Sequence, residues 1–92
     1  MSIQWLFEII EDRKKNPIEK SYTSSLFAED LSKIAQKVGE EGTEVVIAAL
    51  AQDDQRLIEE VADLAYHALV LLSARGLTPK HILAELEKRH RA

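Results

Sequence analysis

The sequence contains no cysteine, which excludes both a disulfide framework and a metal site built from thiolates. It also has no apolar run approaching the roughly 18–20 residues that a helix needs to cross a bilayer. The N-terminal residues MSIQWLFEIIEDRKK have no basic segment before their apolar positions, and acidic residues soon interrupt them, so they do not resemble a secretory signal. These absences predict a cytoplasmic protein with no membrane partner.

Basic residues are too few for a general nucleic-acid-binding surface. Lysine and arginine number 12 against 16 aspartates and glutamates, and the formal net charge is −4. Proteins that bind nucleic acids usually carry a basic patch instead. We therefore expect no nucleic-acid partner.

Glycine and proline are scarce, and no segment alternates apolar and polar residues in the pattern of a β-strand. The chain has three glycines and two prolines, and apolar residues recur at helical spacing through most of its length. The sequence therefore predicts an all-α fold. We expect a single domain over residues 1–92, an antiparallel bundle of four to five helices.

Proline, glycine and capping residues predict where these helices begin and end. Pro17 should stop the first helix, Gly76 should follow the third, and Pro79 should occupy the first turn of the fourth. The four expected helices span about residues 3–15, 25 or 30 to 51, 53–74 and 78–90. The segment NPIEKSYTSS at residues 16–25 is expected to form a loop rich in hydroxyl groups.

The third predicted helix is apolar over about half of its circumference. Toward its end, the stretch AYHALVLLSA is apolar almost all the way round. A well-filled monomer core is one interpretation of this pattern. A four-helix monomer would leave part of the face in water, however, so we expect a second copy to complete the bundle.

Acidic residues and glycines concentrate within the second predicted helix, in GEEGTE at residues 39–44. Carboxylates three or four positions apart repel one another on a helix, and glycine weakens it. On a helical wheel, the three acids border the apolar stripe instead of facing open water. Gly39 and Gly42 could let a ligand approach closely, although Gly42 is better explained by tight helix packing.

The second and third predicted helices should bring two acidic pairs together. In an antiparallel hairpin about Gln52, Glu44 lies level with Glu60, and Glu41 lies level with Asp63. Four carboxylates within about 6 Å would repel by roughly 2–3 kcal/mol per pair, so cations should lie between them. Hard oxygen donors favour Mg²⁺, with Mn²⁺ as a substitute, and Mg²⁺ commonly binds substrate phosphates as well. The alternative interpretation is an ordinary solvated acidic face.

KVGEEGTEVVIAA followed by EEVADLAYHALVLL resembles the phosphoribosyl-ATP pyrophosphatase family of histidine biosynthesis, within the all-α, MazG-like nucleoside triphosphate pyrophosphatases. That superfamily carries the motif ExxE, a spacer, then ExxD, which is matched here by Glu41, Glu44, Glu60 and Asp63. DRKKNPIEKSYTSSLF is similar to the ERKANP…SYTxxLF loop of the family, and RGL at residues 75–77 matches another of its segments. The resemblance extends over residues 6–90.

This resemblance implies Mg²⁺-dependent hydrolysis of 1-(5-phosphoribosyl)-ATP to 1-(5-phosphoribosyl)-AMP and pyrophosphate by a homodimer or homotetramer. The four matched carboxylates would hold one or two metal ions. Glu40 or Glu41 would act as the general base, because a carboxylate crowded by others has a raised pKa. The residues expected around phosphate or ribose are Arg13, Lys14, Lys20, Ser21, Tyr22 and Thr23.

Three further expectations have two interpretations each. Lys37 could contact the leaving pyrophosphate, or it could form a salt bridge with Glu41 or Glu44. His67 could donate a hydrogen bond to a carboxylate near the substrate, or it could be satisfied within the fold. Lys20 could contact phosphate or ribose, or it could be a solvated charge.

Many relatives are fused to the cyclohydrolase of the next step, but this chain has no room for that domain. We therefore expect its product to pass to a separate cyclohydrolase. Two other functions stay open. A general pyrophosphatase that clears non-standard nucleotides would not need the SYTSSLF loop, and a non-catalytic helical dimerisation module would not need the acidic pairs.

Overall fold

Residues 1–90 are described by a computed structural model, and they form five α-helices without any β-strand. The helices are α1 (Ile3–Lys15), α2 (Tyr22–Phe27), α3 (Leu31–Ala51), α4 (Asp54–Ala74) and α5 (Pro79–Arg89). The predicted all-α class and the four long helices are therefore confirmed. None of the five combines the length and the apolar character that a membrane-spanning segment requires.

Local capping interactions explain why the helix ends could be predicted. The side chains of Asp30 and Asp53 accept hydrogen bonds from the first turns of α3 and α4, which satisfies backbone N–H groups that have no partner within the helix. Beyond the end of α4, Gly76 has a φ of 73°, a conformation that strains other residues. The Leu77 N–H then donates back to the Leu72 carbonyl at 2.8 Å.

The predicted loop over residues 16–25 is wrong in its second half, because α2 begins within it. Serine and threonine have low helix propensity, so six residues of this composition would not form a helix alone. Two interactions stabilise it. The Ser21 hydroxyl accepts a hydrogen bond from the Ser24 N–H, and Leu26 inserts into the core.

The hydrophobic core lies around the C-terminal half of α4, where α1 and α2 pack against it. Its buried residues are Phe7, Ile10, Leu26, Ile34, Leu69 and Val70. The helices α3 and α4 form a long hairpin, and α5 contacts α1. Large apolar side chains remain exposed toward the turn of this hairpin: Val46, Ile47, Leu50, Ile58 and Val61. The core thus covers only part of the apolar surface that the sequence supplies.

Candidate active site

Three carboxylates from the two long helices meet beside the core and form what we call the acidic cluster. Glu41 on α3 and Glu60 and Asp63 on α4 each place one oxygen within 4.8 Å of the other two. Glu60 is buried, Glu41 is half-buried and Asp63 is exposed. The hairpin geometry expected from the sequence is therefore confirmed for these three residues.

Glu44 is not part of the acidic cluster in the described chain. Three residues of α-helix rotate its side chain about 60° away from that of Glu41, toward solvent, and Glu44 is exposed. Of the four carboxylates that the sequence predicts to converge, the structure thus brings three within 4.8 Å of one another. A metal-binding role for Glu44 stays a prediction.

Lys37 lies at one side of the acidic cluster. Its Nζ is 3.5 Å from Glu41 Oε1 and 3.6 Å from Glu40 Oε2. Burial opposes its charge, but the nearby Tyr22, Glu40 and Glu41 outweigh that effect and raise the pKa of Lys37. The predicted salt bridge is confirmed with Glu41.

Arg56 lies at the other side and was given no role by the sequence analysis. Its guanidinium donates to Glu60 at 2.8 Å and to Glu59 at 2.6 Å, one helical turn away. Spacings of three and four residues on one helix could have indicated both pairs. Arg56 and Lys37 together offset part of the repulsion that the sequence led us to assign entirely to bound cations.

Glu40 is exposed and outside the acidic cluster. A hydrogen bond from the Gln36 amide at 2.8 Å and the charge of Lys37 lower the pKa of Glu40. The prediction of a raised pKa at Glu40 is therefore wrong. That result removes the reason for choosing Glu40 as a general base, and Glu41 is the remaining candidate.

His67 is buried on α4, one turn beyond Asp63, and both of its ring nitrogens have partners. Nδ1 lies 2.7 Å from the backbone carbonyl oxygen of Asp63, and Nε2 lies 3.0 Å from the Tyr22 hydroxyl. His67 is thus satisfied within the fold and does not donate to a carboxylate. Of its two sequence-based interpretations, the structure shows the satisfied histidine.

The residues next to Tyr22 and His67 make a second connection between α2 and α4. The hydroxyl groups of Thr23 and Tyr66 are hydrogen-bonded to each other. Burial raises the pKa of Tyr66, although the bond from Thr23 opposes this effect. This pair could not be predicted from the sequence, because it forms only when α2 docks on α4.

A cleft of about 250 Å³ lies between α2 and α3, next to the acidic cluster. Its lining includes Tyr22, Lys33, Gln36 and Lys37. Because Lys37 also contacts Glu41, the cleft and the acidic cluster share a boundary. Lys33 was not predicted as a site residue, and its ammonium gives this wall a second positive charge. Glu29 also lines the cleft, so the cleft combines two ammonium groups, one carboxylate and neutral polar groups beside a set of hard oxygen ligands.

The family model described as phosphoribosyl-ATP pyrophosphohydrolase matches residues 4–90. The chain belongs to this family. A phosphoribosyl-ATP pyrophosphatase from Clostridium botulinum is 53% identical over 87 residues, which cover 95% of the chain and 79% of the relative. A phosphoribosyl-ATP pyrophosphatase from Sulfolobus acidocaldarius is 48% identical over 87 residues, covering 95% and 92% respectively. The histidine biosynthesis bifunctional protein HisIE from Oceanobacillus iheyensis is 51% identical over 81 residues, and the match covers 38% of that protein.

Several basic and hydroxyl residues that were expected near phosphate instead bond to other groups within the fold. Lys14 Nζ lies 2.8 Å from the Ser73 carbonyl oxygen and 3.0 Å from Glu11. Arg13 pairs with Asp12 at 2.7 Å. Ser21 caps α2 and Thr23 bonds to Tyr66, as described above, whereas Lys20 is exposed. Tyr22 alone of the six expected residues lines the cleft.

The two glycines beside the acidic cluster are not explained by packing within the chain. A Cβ atom placed on Gly39 or Gly42 would have no neighbouring atom within 4 Å among the residues that the structure describes. Tight helix packing was the expected reason for Gly42, and within this chain that expectation is wrong. Both positions have room for a larger side chain.

Proposed function

We propose that the protein hydrolyses the α–β phosphoanhydride of phosphoribosyl-ATP, giving phosphoribosyl-AMP and pyrophosphate, in the second step of histidine biosynthesis. The acidic cluster beside a lysine-lined cleft carries this proposal. It is supported by relatives named phosphoribosyl-ATP pyrophosphatase that align with nearly the whole chain.

The donor set of the acidic cluster fits a hard divalent cation. Carboxylate oxygens within 4.8 Å of one another can bind one ion jointly, and Mg²⁺ commonly uses one or two carboxylates together with substrate phosphates. We therefore propose that Glu41, Glu60 and Asp63 hold Mg²⁺, or Mn²⁺ as a substitute, with Glu44 as a further ligand. Such an ion supplies charge neutralisation at phosphate oxygens and lowers the pKa of a bound water.

The chain's own charged groups have separate roles in this proposal. Lys37 faces both the cleft and Glu41, so its ammonium can follow the negative charge that develops on the departing pyrophosphate. Lys33 binds the same polyphosphate from one turn earlier on α3. Glu41 accepts the proton of the attacking water, because its side chain is only 12% exposed and is crowded by other carboxylates. The bond from Arg56 holds the buried Glu60 in place.

We also propose that two copies associate through the exposed apolar side of the α3–α4 hairpin, as a homodimer or as half of a homotetramer. Leu50 at this surface is 84% exposed and Ile58 is 61% exposed. The radius of gyration is 14.4 Å, against roughly 12 Å for a compact chain of this length. A projecting apolar hairpin fits one partner in a larger bundle. Cytoplasmic location and transfer of the product to a separate cyclohydrolase stay predictions.

The experiment is a pyrophosphate-release assay with phosphoribosyl-ATP, dCTP and dUTP at equal Mg²⁺. We expect release from phosphoribosyl-ATP, loss of activity in EDTA, and recovery when excess Mg²⁺ is added. Equal hydrolysis of dCTP or dUTP would instead support a general nucleotide pyrophosphatase. No release from any of the three substrates would support a non-catalytic dimerisation module.

A further inference from the structure

Tyr22 lines the cleft and is hydrogen-bonded to α4, where a buried neighbour fixes the hydrogen bonding of its hydroxyl group. The side chain is 53% exposed and lines the cleft together with Lys33 and Lys37. Its oxygen is 3.0 Å from Nε2 of His67, which is 6% exposed. Tyr22 therefore forms part of the cleft wall while its hydroxyl group is hydrogen-bonded to a buried residue.

The hydrogen-bonding partner of the other ring nitrogen of His67, Nδ1, determines which atoms carry the protons in this arrangement. Nδ1 of His67 lies 2.7 Å from the Asp63 carbonyl oxygen, and a carbonyl oxygen can only accept a hydrogen bond. Nδ1 must therefore carry the proton of the neutral imidazole, which leaves Nε2 as an acceptor. The hydroxyl of Tyr22 then donates its single proton to Nε2, so the oxygen of Tyr22 has only lone pairs left for the cleft.

The position of this oxygen is held by further contacts. The ring of Tyr22 packs against those of Tyr66 and His67, with centroid separations of 6.2 Å and 5.9 Å. The adjacent bond between Thr23 and Tyr66 fixes the same turn of α2. An acceptor held in this way loses little freedom when a ligand binds.

We propose that Tyr22 is a specificity-determining residue that accepts a hydrogen bond from a neutral donor of the substrate, a sugar hydroxyl or an exocyclic amine, and that His67 positions it. The identity of the substrate here rests on the proposed function. An ionised phosphate offers only acceptors, so it gains nothing from this oxygen. Lys33 and Lys37 bind the phosphates, so different residues of one cleft recognise the phosphates and the neutral donor.

A substrate-by-variant comparison tests the proposal. Wild type and Tyr22→Phe are assayed with phosphoribosyl-ATP, with analogues that lack one ribose hydroxyl, and with the inosine analogue, which lacks the amine. We expect wild type to disfavour one analogue by about 3- to 10-fold in kcat/KM, mainly through KM. The affected analogue distinguishes a sugar donor from an amine. Tyr22→Phe should lose activity on the parent substrate by the same factor and should no longer discriminate.

Tyr66→Phe is the matched control, because it removes a hydroxyl from the same aromatic group without removing the acceptor. It should retain the discrimination of wild type whatever its overall rate. Wild type that accepts every analogue equally, or Tyr22→Phe that still discriminates, would overturn the proposal. Thermal unfolding of each variant shows that the comparison is made on folded protein.

The protonation of His67 can be read without any substrate. Nitrogen-15 NMR at about pH 8.5, above the usual titration range of histidine, should show the proton on Nδ1, and His67→Gln identifies the resonances among the three histidines. A proton on Nε2 would overturn the assignment of Tyr22 as an acceptor. If wild type does not cleave phosphoribosyl-ATP, the proposed function fails, while this spectrum still decides the role of the Tyr22 oxygen.

Discussion

Replacing Glu41 by glutamine separates a catalytic acidic cluster from a structural one. The carboxylate of Glu41 has oxygens within 4.8 Å of those of Glu60 and of Asp63. Two negative charges at this distance repel by about 3.5 kcal/mol at an effective dielectric constant of 20. The attraction lost to Lys37 at 3.5 Å is about 4.7 kcal/mol on the same scale. The two repulsions exceed this attraction by about 2 kcal/mol, and solvent screening reduces the difference to about 1 kcal/mol.

The assay is thermal unfolding in EDTA and across a Mg²⁺ titration. In EDTA, Glu41→Gln should unfold about 4–8 °C above wild type, the shift expected from 1 kcal/mol in a chain of this size. Mg²⁺ at ten times its Kd should stabilise wild type by about 1.4 kcal/mol and should leave the variant almost unchanged. Pyrophosphate release should fall by about 10²- to 10⁴-fold, because the variant lacks both the proposed base and a metal ligand.

Glu8→Gln on α1 is the matched control, since it makes the same chemical change at an exposed carboxylate outside the acidic cluster. It should respond to Mg²⁺ as wild type does. A Glu41→Gln variant that is more stable in EDTA yet keeps both its Mg²⁺ response and its activity would show that Glu41 is neither the base nor a metal ligand. A helical dimerisation module would show the gain in stability alone, with no Mg²⁺ response and no pyrophosphate release in either protein.

Three further predictions concern stability and assembly. Burial tends to raise the pKa of Glu11, but hydrogen bonds from Lys14 and Ser73 outweigh burial and lower this pKa below its ordinary 4.5. Its contribution is therefore present above pH 4.5 and is lost as the pH falls through the lowered pKa, so Glu11→Ala should cost about 1–2 kcal/mol at pH 7 and progressively less in more acidic solution in chemical denaturation. Gly42→Ala should raise the free energy of unfolding by about 1 kcal/mol; a decrease would indicate that a partner or substrate packs there. Leu50→Lys should weaken self-association by about tenfold or more, as measured by sedimentation. Ile18→Lys is the control, and a Leu50→Lys variant that assembles as well as this control would show that the interface lies elsewhere.

The long helices were predictable because their ends are determined by local chemistry. Asp30, Asp53 and Gly76 act on backbone groups within a few residues, and such signals can be read directly from the sequence. The short helix α2 was not predictable in this way. Its stability depends on the burial of Leu26 and on side-chain bonds to α4, and neither is encoded in the propensities of YTSSLF.

The height of each site residue along its helix could be predicted from the sequence, but the direction of its side chain around the helix axis was harder to predict. Counting residues from the hairpin turn brings Glu41 level with Asp63, and the structure confirms that they meet. The same count brings Glu44 level with Glu60, but rotation about α3 turns Glu44 toward solvent, and it is not among the carboxylates within 4.8 Å of one another. Arg56 was recoverable from its spacing, whereas the Tyr22–His67 contact required the docking of α2.

The arrangement of charges suggests why a chain would keep acidic residues and glycine within a long helix. A cluster needed only for stability would be satisfied by the pairs that Lys37 and Arg56 form on the outside. It would gain from replacing the buried Glu60 with an apolar residue, because burying a charge is costly even when it is paired. The cation-free cluster retains repulsion that a bound ion would relieve, and relief of that kind adds to the affinity for the ion. If the acidic cluster binds a metal ion as proposed, part of the stability of the α3–α4 hairpin is exchanged for metal binding, and Glu60 should be the position where that exchange is largest.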